Sequence, residues 1–379
     1  MSTLKVNKIE NTGTTDGGIE IDSDGHVQVD GVQLPSAGAL SNRNLIINGA
    51  MQVAQRYGYH SPQTDWNNYD ASDRIFKRTS GSATSSVQTR NDDAPSGFIY
   101  SDKLTITSQD SDTYIGRGTC LEWNDISHLR AGYSDAKTIT LSFWVKASIS
   151  GTYCFAYTSY VAAHSDHDAA TSYVTEYTVD SADTWEYKTI TVTLPTSTPS
   201  NWDGSNGGNT TGLRLQWSVS RAATANTYET ATTDSWISGN SYCTSNQTNM
   251  GATNGSTFQI TGVQLEVGSA ATPFEHRSYG DELARCQRYY YKSSAEYRQH
   301  GYSYGTNSST DGMCVPYPWP VTMRANPTAS LSGGSDGGSN ATISFINDAA
   351  THGMINLIST SSDNAVWWNG ATITADAEL

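Results

Sequence analysis

Five aromatic residues sit among polar, turn-forming neighbours: Trp66, Tyr69, Trp185, Trp202 and Trp236. A flat ring packs against the apolar C–H face of a pyranose, while amides and carboxylates beside it bind the hydroxyls. The chemistry these residues predict is sugar recognition. Trp202, within Pro199-Ser200-Asn201-Trp202-Asp203-Gly204, has this setting, and a loop anchor against its own domain or a neighbouring subunit is the competing role. Trp144 and Trp217 lie inside alternating runs and are expected in a core. The stretch His164-Ser165-Asp166-His167-Asp168 offers four potential metal ligands within five residues. Closeness in sequence seldom gives converging geometry, so a solvated loop tip is expected there.

Catalytic signals are sparse. There is no GxSxG elbow, HExxH pair, phosphate loop or dinucleotide fingerprint. Glycoside hydrolysis needs two carboxylates flanking one bond, and no motif marks such a pair. No repeat of roughly 20–30 residues announces a parallel β-helix. The chain is therefore expected to be no enzyme and to need no organic cofactor. Its five cysteines (Cys120, Cys154, Cys243, Cys286, Cys314) are scattered without a CxxC and are expected to be buried free thiols.

Charge narrows the partners. Only 22 basic residues oppose 37 acidic ones, for a formal net charge of −15. Gripping nucleic acid requires clustered Lys and Arg to neutralise phosphates, so no nucleic acid is expected as a partner. The same acidity opposes anionic membranes, and no run approaches the roughly 18 apolar residues of a spanning helix, so no membrane insertion is expected. Met1-Ser2-Thr3-Leu4-Lys5 lacks the apolar core of a signal peptide, which predicts synthesis in a cytoplasm.

The elements that must position these residues are strands. Hydrophobic residues make up 36% of the chain, below the globular norm of about 45–50%, yet aromatics reach 10%. Disordered chains are poor in aromatics, so thin β-structures with small cores and many turns are expected. Residues 1–40 hold very short alternating runs, such as Leu4-Lys5-Val6, Ile19-Glu20-Ile21, Val27-Gln28-Val29 and Val32-Gln33-Leu34, separated by Gly-rich turns. A strand of three residues buries no core alone, so this arm is expected to be an intertwined, homotrimeric β-stem.

Residues 41–277 carry regular strand-like runs: 45–47, 86–89, 103–107, 138–145, 189–194, 213–219 and 258–265. Most alternate apolar with polar residues, as strands with one buried face do. This predicts a jelly-roll β-sandwich with long polar loops at 162–171 and 201–211. A short helix is expected over 281–288, followed by a small β-rich domain, so that 278–379 forms the third unit. The fold class is all-β.

Four blocks, taken in order, resemble tail-fibre and related structural proteins of tailed bacteriophages. The first is Asn42-Arg43-Asn44-Leu45-Ile46-Ile47-Asn48-Gly49-Ala50-Met51-Gln52-Val53-Ala54-Gln55-Arg56, and the second is Ser142-Phe143-Trp144-Val145-Lys146-Ala147. The third is the stretch from Ile260 to Arg277. The fourth joins Glu282-Leu283-Ala284-Arg285-Cys286-Gln287-Arg288-Tyr289-Tyr290 to Pro318-Trp319-Pro320-Val321-Thr322-Met323-Arg324-Ala325-Asn326-Pro327-Thr328. The resemblance implies a galactose-binding-like carbohydrate module and a virion protein. It would attach to other virion proteins through its N-terminal arm and touch a host-surface glycan. Related modules hold a structural calcium between first and last strands, which would make Glu266 and the backbone near Asn48 ligands. One departure is Asp73-Arg74-Ile75, where the family often has Asp-Arg-Trp. Purely structural roles, in a head decoration or baseplate fibre, and glycan cleavage are the alternatives.

Overall fold

A computed structural model of the chain describes residues 8–10, 18–21, 27–29, 32–33, 42–56, 69, 71–80, 86–108, 114–159, 171–196, 208, 210–223, 228–293, 297–302, 312–336, 341–359 and 365–378. Trp66, Trp202, the 164–168 cluster, most of both predicted polar loops and the first stem run lie outside the described residues. Among the described residues no helix is long and apolar enough to cross a membrane.

The N-terminal segment contains four strands, β1 (Lys8–Glu10), β2 (Gly18–Ile21), β3 (Val27–Val29) and β4 (Val32–Gln33). They pair antiparallel in sequence order within one chain. The register sets Ile9 opposite Ile19, Ile19 opposite Val29, and Ile21 opposite Val27. Successive residues in a strand point to opposite faces, so Ile9, Ile19, Ile21 and Val27 share one face. Ile9, Ile19, Ile21 and Val27 remain 38–56% exposed.

Eleven strands build the sandwich: β5 (Phe76–Ser80), β6 (Ser86–Asn91), β7 (Ser101–Ile106), β8 (Tyr114–Glu122), β9 (Thr138–Ala147), β10 (Gly151–Thr158), β11 (Thr171–Val179), β12 (Glu186–Thr193), β13 (Thr211–Ser220), β14 (Trp236–Ser238) and β15 (Thr257–Val267). A one-turn helix, α1 (Trp123–Ile126), follows β8. One sheet has the order β14-β11-β10-β13-β8-β5 and the other β12-β9-β15-β7-β6. Most connections pass from one sheet to the other. The apolar positions of the predicted runs meet between the sheets: Leu141, Phe143 and Val145 from β9 face Phe155, Leu215 and Trp217. The Phe143 ring lies edge-on to Trp217 at 5.5 Å and to Tyr177 at 5.4 Å. Each such side chain stabilises the fold by about 1.5–3 kcal/mol on burial. Four of the five free cysteines are buried, and Cys314 is exposed.

The predicted strand at 45–47 does not form. Leu45 N–H bonds Leu265 O at 2.9 Å, but side chains take over the remaining polar groups. Asn44 Oδ1 accepts from Ile46 N and Leu265 N, and Arg277 caps the carbonyls of Asn44 and Ile46. Asn48 then turns the chain with a left-handed φ of 61°, a conformation Asn tolerates.

Beyond the sandwich, Ser278 caps α2 (Tyr279–Gln287) by accepting from Asp281 N. The C-terminal unit comprises β16 (Tyr290–Lys292), β17 (Tyr297–Tyr302), β18 (Gly312–Pro318), β19 (Thr328–Asp336), β20 (Ala341–Asp348), β21 (His352–Ser359) and β22 (Ala365–Asp376). β22 pairs with β16, β17 and β19, while β21 lies between β18 and β20. Arginines fasten this unit to the sandwich. Arg56 bonds Asp376 and Glu378 at 3.1 and 3.2 Å, and Arg74 pairs with Glu378 and donates to Cys120 O. Arg288 binds Glu122 through two nitrogens at 3.1 and 2.9 Å.

Candidate functional site

Alternation fixes which side chains of β9 leave the core. With Ile139, Leu141, Phe143 and Val145 fully buried, Thr138, Thr140, Ser142, Trp144 and Lys146 must point to the outer face. Trp144, expected in the core, is therefore a half-buried surface ring, whereas Trp217 is fully buried as expected. The β12 register places Tyr187, 44% exposed, opposite Trp144. Their ring centroids are 5.4 Å apart.

The strip continues across β15. Gly262 has φ +60°, and a Cβ there would come within 2.7 Å of Phe98 Cζ and 3.0 Å of Trp144 Cδ1. Only glycine combines this backbone with room for two rings. Phe98 then meets Phe274 at 5.0 Å and His276 at 5.4 Å, and those two lie 4.9 Å from each other. Tyr187 and Trp144 thus form one ring pair, and Phe98, Phe274 and His276 a three-ring cluster; Phe98 and Trp144 both border Gly262, which joins the two groups into a strip on the outer face of the five-stranded sheet. Ile99, adjacent in sequence, is 66% exposed.

A polar rim borders the strip. Lys146 Nζ donates to Asp93 Oδ2 at 2.6 Å, Gln259 Nε2 donates to the same oxygen at 3.3 Å, and Trp185 Nε1 donates to Asp93 Oδ1 at 3.2 Å. The Lys146 ammonium lies 5.9 Å from the Trp185 ring centroid. Hydrogen bonding from Lys146 holds the Asp93 carboxyl below the ordinary carboxylate range. A depressed folded pKa means this stabilisation is complete above the unfolded value of about 3.9 and is lost as pH falls through the folded one. The Trp185 indole N–H resonance should hold steady from pH 7 to 5 and move only below about pH 4. Because the pair is water-exposed, its removal by Asp93→Ala should cost under about 1 kcal/mol. A shift of the indole signal near neutral pH would contradict this anchoring.

The structure scatters the sequence-predicted aromatics. Trp185 borders the strip at one end of β12. Trp236 packs at the other end, donating its N–H to Thr193 O at 2.9 Å, its ring tilted 51° to that of Tyr173 at 5.4 Å. Tyr69 is only 5% exposed and packs on Phe76, with the guanidiniums of Arg56 and Arg74 over its ring at 5.8 and 5.6 Å. This corrects its reading as a surface platform: the residue belongs to the domain junction.

The expected calcium ligands do not converge. Glu266, 1% exposed, accepts from Gln264 Nε2, Thr272 N and Thr272 Oγ1, with Arg43 at 3.8 Å. Asn48 is engaged with Val53, Asp73 and Glu282, and its carbonyl accepts from Met51 N. Protein donors already occupy the carboxylate of Glu266, and protein partners the amide and backbone of Asn48, which does not fit a shared cation. Among the described residues no cluster of three or more His, Cys, Asp or Glu could hold a metal.

No family model matches the chain, and no curated protein is similar to it. Solved structures are. The enzymatically active domain of tailspike protein 4 from bacteriophage CBA120 aligns at 11% identity and a TM-score of 0.32, covering 59% of this chain and 21% of that one. The chain thus spans about a fifth of the length of that domain. A family 11 carbohydrate-binding module from Clostridium thermocellum, in complex with a β-1,3-1,4-mixed-linked tetrasaccharide, aligns at 12% identity and a TM-score of 0.28 over 57% of this chain and 99% of the module. A xylan-binding domain from Paenibacillus barcinonensis aligns at 15% identity and a TM-score of 0.29 over 50% and 91%.

Proposed function

We propose that the chain is a homotrimeric fibre protein of a bacteriophage virion that holds a host-surface glycan on the outer face of its five-stranded sheet and does not cleave it. The observation that carries the glycan reading is the strip made by the Tyr187–Trp144 pair and the Phe98–Phe274–His276 cluster. These rings stay at the surface although the other face of the sheet is a complete core. Surface rings spread across neighbouring strands suit a saccharide, with Lys146 and Asp93 beside them for hydroxyls. Both oxygens of Asp93 already accept hydrogen bonds, which favours binding over acid–base work. The virion reading rests on the four sequence blocks. Trimeric assembly is supported by the exposed apolar side chains of Ile9, Ile19, Ile21 and Val27, which further copies of the same strands would cover. Three weak sites then act together through effective concentration.

The test combines a solution mass, a glycan array and competition with phage adsorption to host cells. A trimer that binds glycan and blocks adsorption is expected, and deletion of residues 1–40 should leave a monomer. Truncating an aromatic ligand contact costs about 2 kcal/mol, so Tyr187→Ala should weaken glycan binding about 30-fold without lowering Tm. A stable trimer that ignores both glycan and cells would sink the receptor claim and leave a spacer protein.

A further inference from the structure

A second groove lies away from the aromatic strip, where the sandwich meets α2 and the C-terminal unit. It encloses about 340 Å³ and is lined by Gln55 and Arg90 of the sandwich, by Tyr279, Leu283 and Gln287 of α2, and by Lys292 of β16, among others. The spacing 279, 283, 287 is i, i+4, i+8, which aligns the three side chains on one stripe of the helix.

The groove's charge runs against that of the molecule. The chain carries a net −15, yet none of the described side chains lining the groove is acidic and two are cationic. Arg90 is held in place: its guanidinium lies 4.3 Å from the Tyr100 ring centroid and one nitrogen donates to Gln52 O at 2.7 Å. Lys292 Nζ donates to Arg56 O at 3.4 Å. Tyr279 is 57% exposed and offers a ring at the margin. The Gln55 amide nitrogen donates to Asp73 Oδ2 and Tyr290 O, while its Oε1 is buried without a hydrogen-bond partner.

We infer that this groove is an anion-selective sugar subsite that takes a pyranose bearing a carboxylate or phosphate. The anion sits between Arg90 and Lys292, the C–H face of the sugar rests on Tyr279, and the hydroxyls meet Gln287. A guanidinium already fixed by stacking loses little freedom on pairing with an anion, and charge-assisted hydrogen bonds are the stronger kind. An aromatic ring beside two cations suits a sugar acid better than a free inorganic ion, which has no apolar face. The inference rests on the glycan reading above only for the ligand's being a saccharide.

Calorimetry on the full-length protein would compare oligogalacturonate, a neutral galactose oligomer of the same length, and glucose 6-phosphate. At least one anionic probe should bind more tightly than the neutral oligomer, weaken as salt is raised, and name by its rank whether carboxylate or phosphate is the natural charge. The double variant Arg90→Gln/Lys292→Gln should reduce anionic binding about 30-fold. Tyr279→Glu, at an exposed position that should not disturb folding, should reduce it by at least about tenfold through repulsion. Tyr187→Ala on the strip should weaken the neutral oligomer but leave the salt-dependent part of anionic binding in place. Anionic binding that survives both groove variants, or is lost only in Tyr187→Ala, overturns the groove assignment while leaving the strip intact. Absence of all saccharide binding overturns both readings.

Discussion

Asp102→Ala is expected to destabilise the sandwich by about 3–5 kcal/mol, a large share of the stability of an ordinary domain. Asp102 on β7 and Arg117 on β8 come from opposite sheets and pair inside the sandwich, both with fully buried side chains. Gln88 donates to the second oxygen of Asp102 at 3.0 Å, and Arg117 Nε reaches Phe76 O at 3.4 Å. Removing the carboxylate leaves a guanidinium desolvated without its counter-ion, which costs more than the intact pair contributes. The double replacement Asp102→Leu/Arg117→Met removes both charges and should return to within about 1 kcal/mol of the parent. Urea unfolding followed by tryptophan fluorescence measures both. If the single variant lost less than about 1 kcal/mol, water would have to reach this pair and the dry-bridge account would fail.

Glu378→Ala should loosen the C-terminal unit from the sandwich at a cost of about 3 kcal/mol. The carboxylate serves two guanidiniums. Arg74 is 1% exposed and lies 3.6 Å from the Tyr289 ring centroid, and Arg56 lies 3.6 Å from that of Tyr290. Asp376 stays paired with Arg56, so most of the loss falls on Arg74. The expected sign is a lower-urea transition for residues 290–378 separating from that of the sandwich, with faster proteolysis of the segment around residues 277–289. A single transition at the parental midpoint would show that the arginine contacts do not hold the junction. The same position explains the departure at Asp73-Arg74-Ile75. Ile75 is fully buried in the sandwich core, while Arg74 beside it turns to the junction and meets aromatic rings there rather than a saccharide.

Much of the sandwich was legible because its signal is local. The runs 86–89, 138–145, 213–219 and 258–265 lie within strands, 103–107 and 189–194 each overrun theirs by one residue, and the helix expected over 281–288 forms as α2 over Tyr279–Gln287. The outward turn of Trp144 was also legible in principle, since Ile139, Leu141, Phe143 and Val145 hold the opposite parity. Reading Trp144 as core gave weight to its hydrophobicity over its place in the alternation. The run 45–47 misled for the opposite reason: its apolar pattern is strand-like, but Asn44 and Arg277 supply partners a neighbouring strand would have supplied.

By itself the sequence determined the all-β class, the two-residue period that sorts each strand into core and surface, and a net charge that disfavours nucleic acid. These come from composition and from neighbours one or two positions away. Only the tertiary structure decided the sites. The strip draws Phe98, Trp144, Tyr187, Gly262, Phe274 and His276 from five separate segments, and the groove joins Gln55 and Arg90 to Tyr279 and Lys292. Residues so far apart meet only because antiparallel pairing and sheet stacking fix distances that no sequence spacing encodes, and an isolated polar setting such as that of Tyr69 says nothing about which guanidinium will cover its ring.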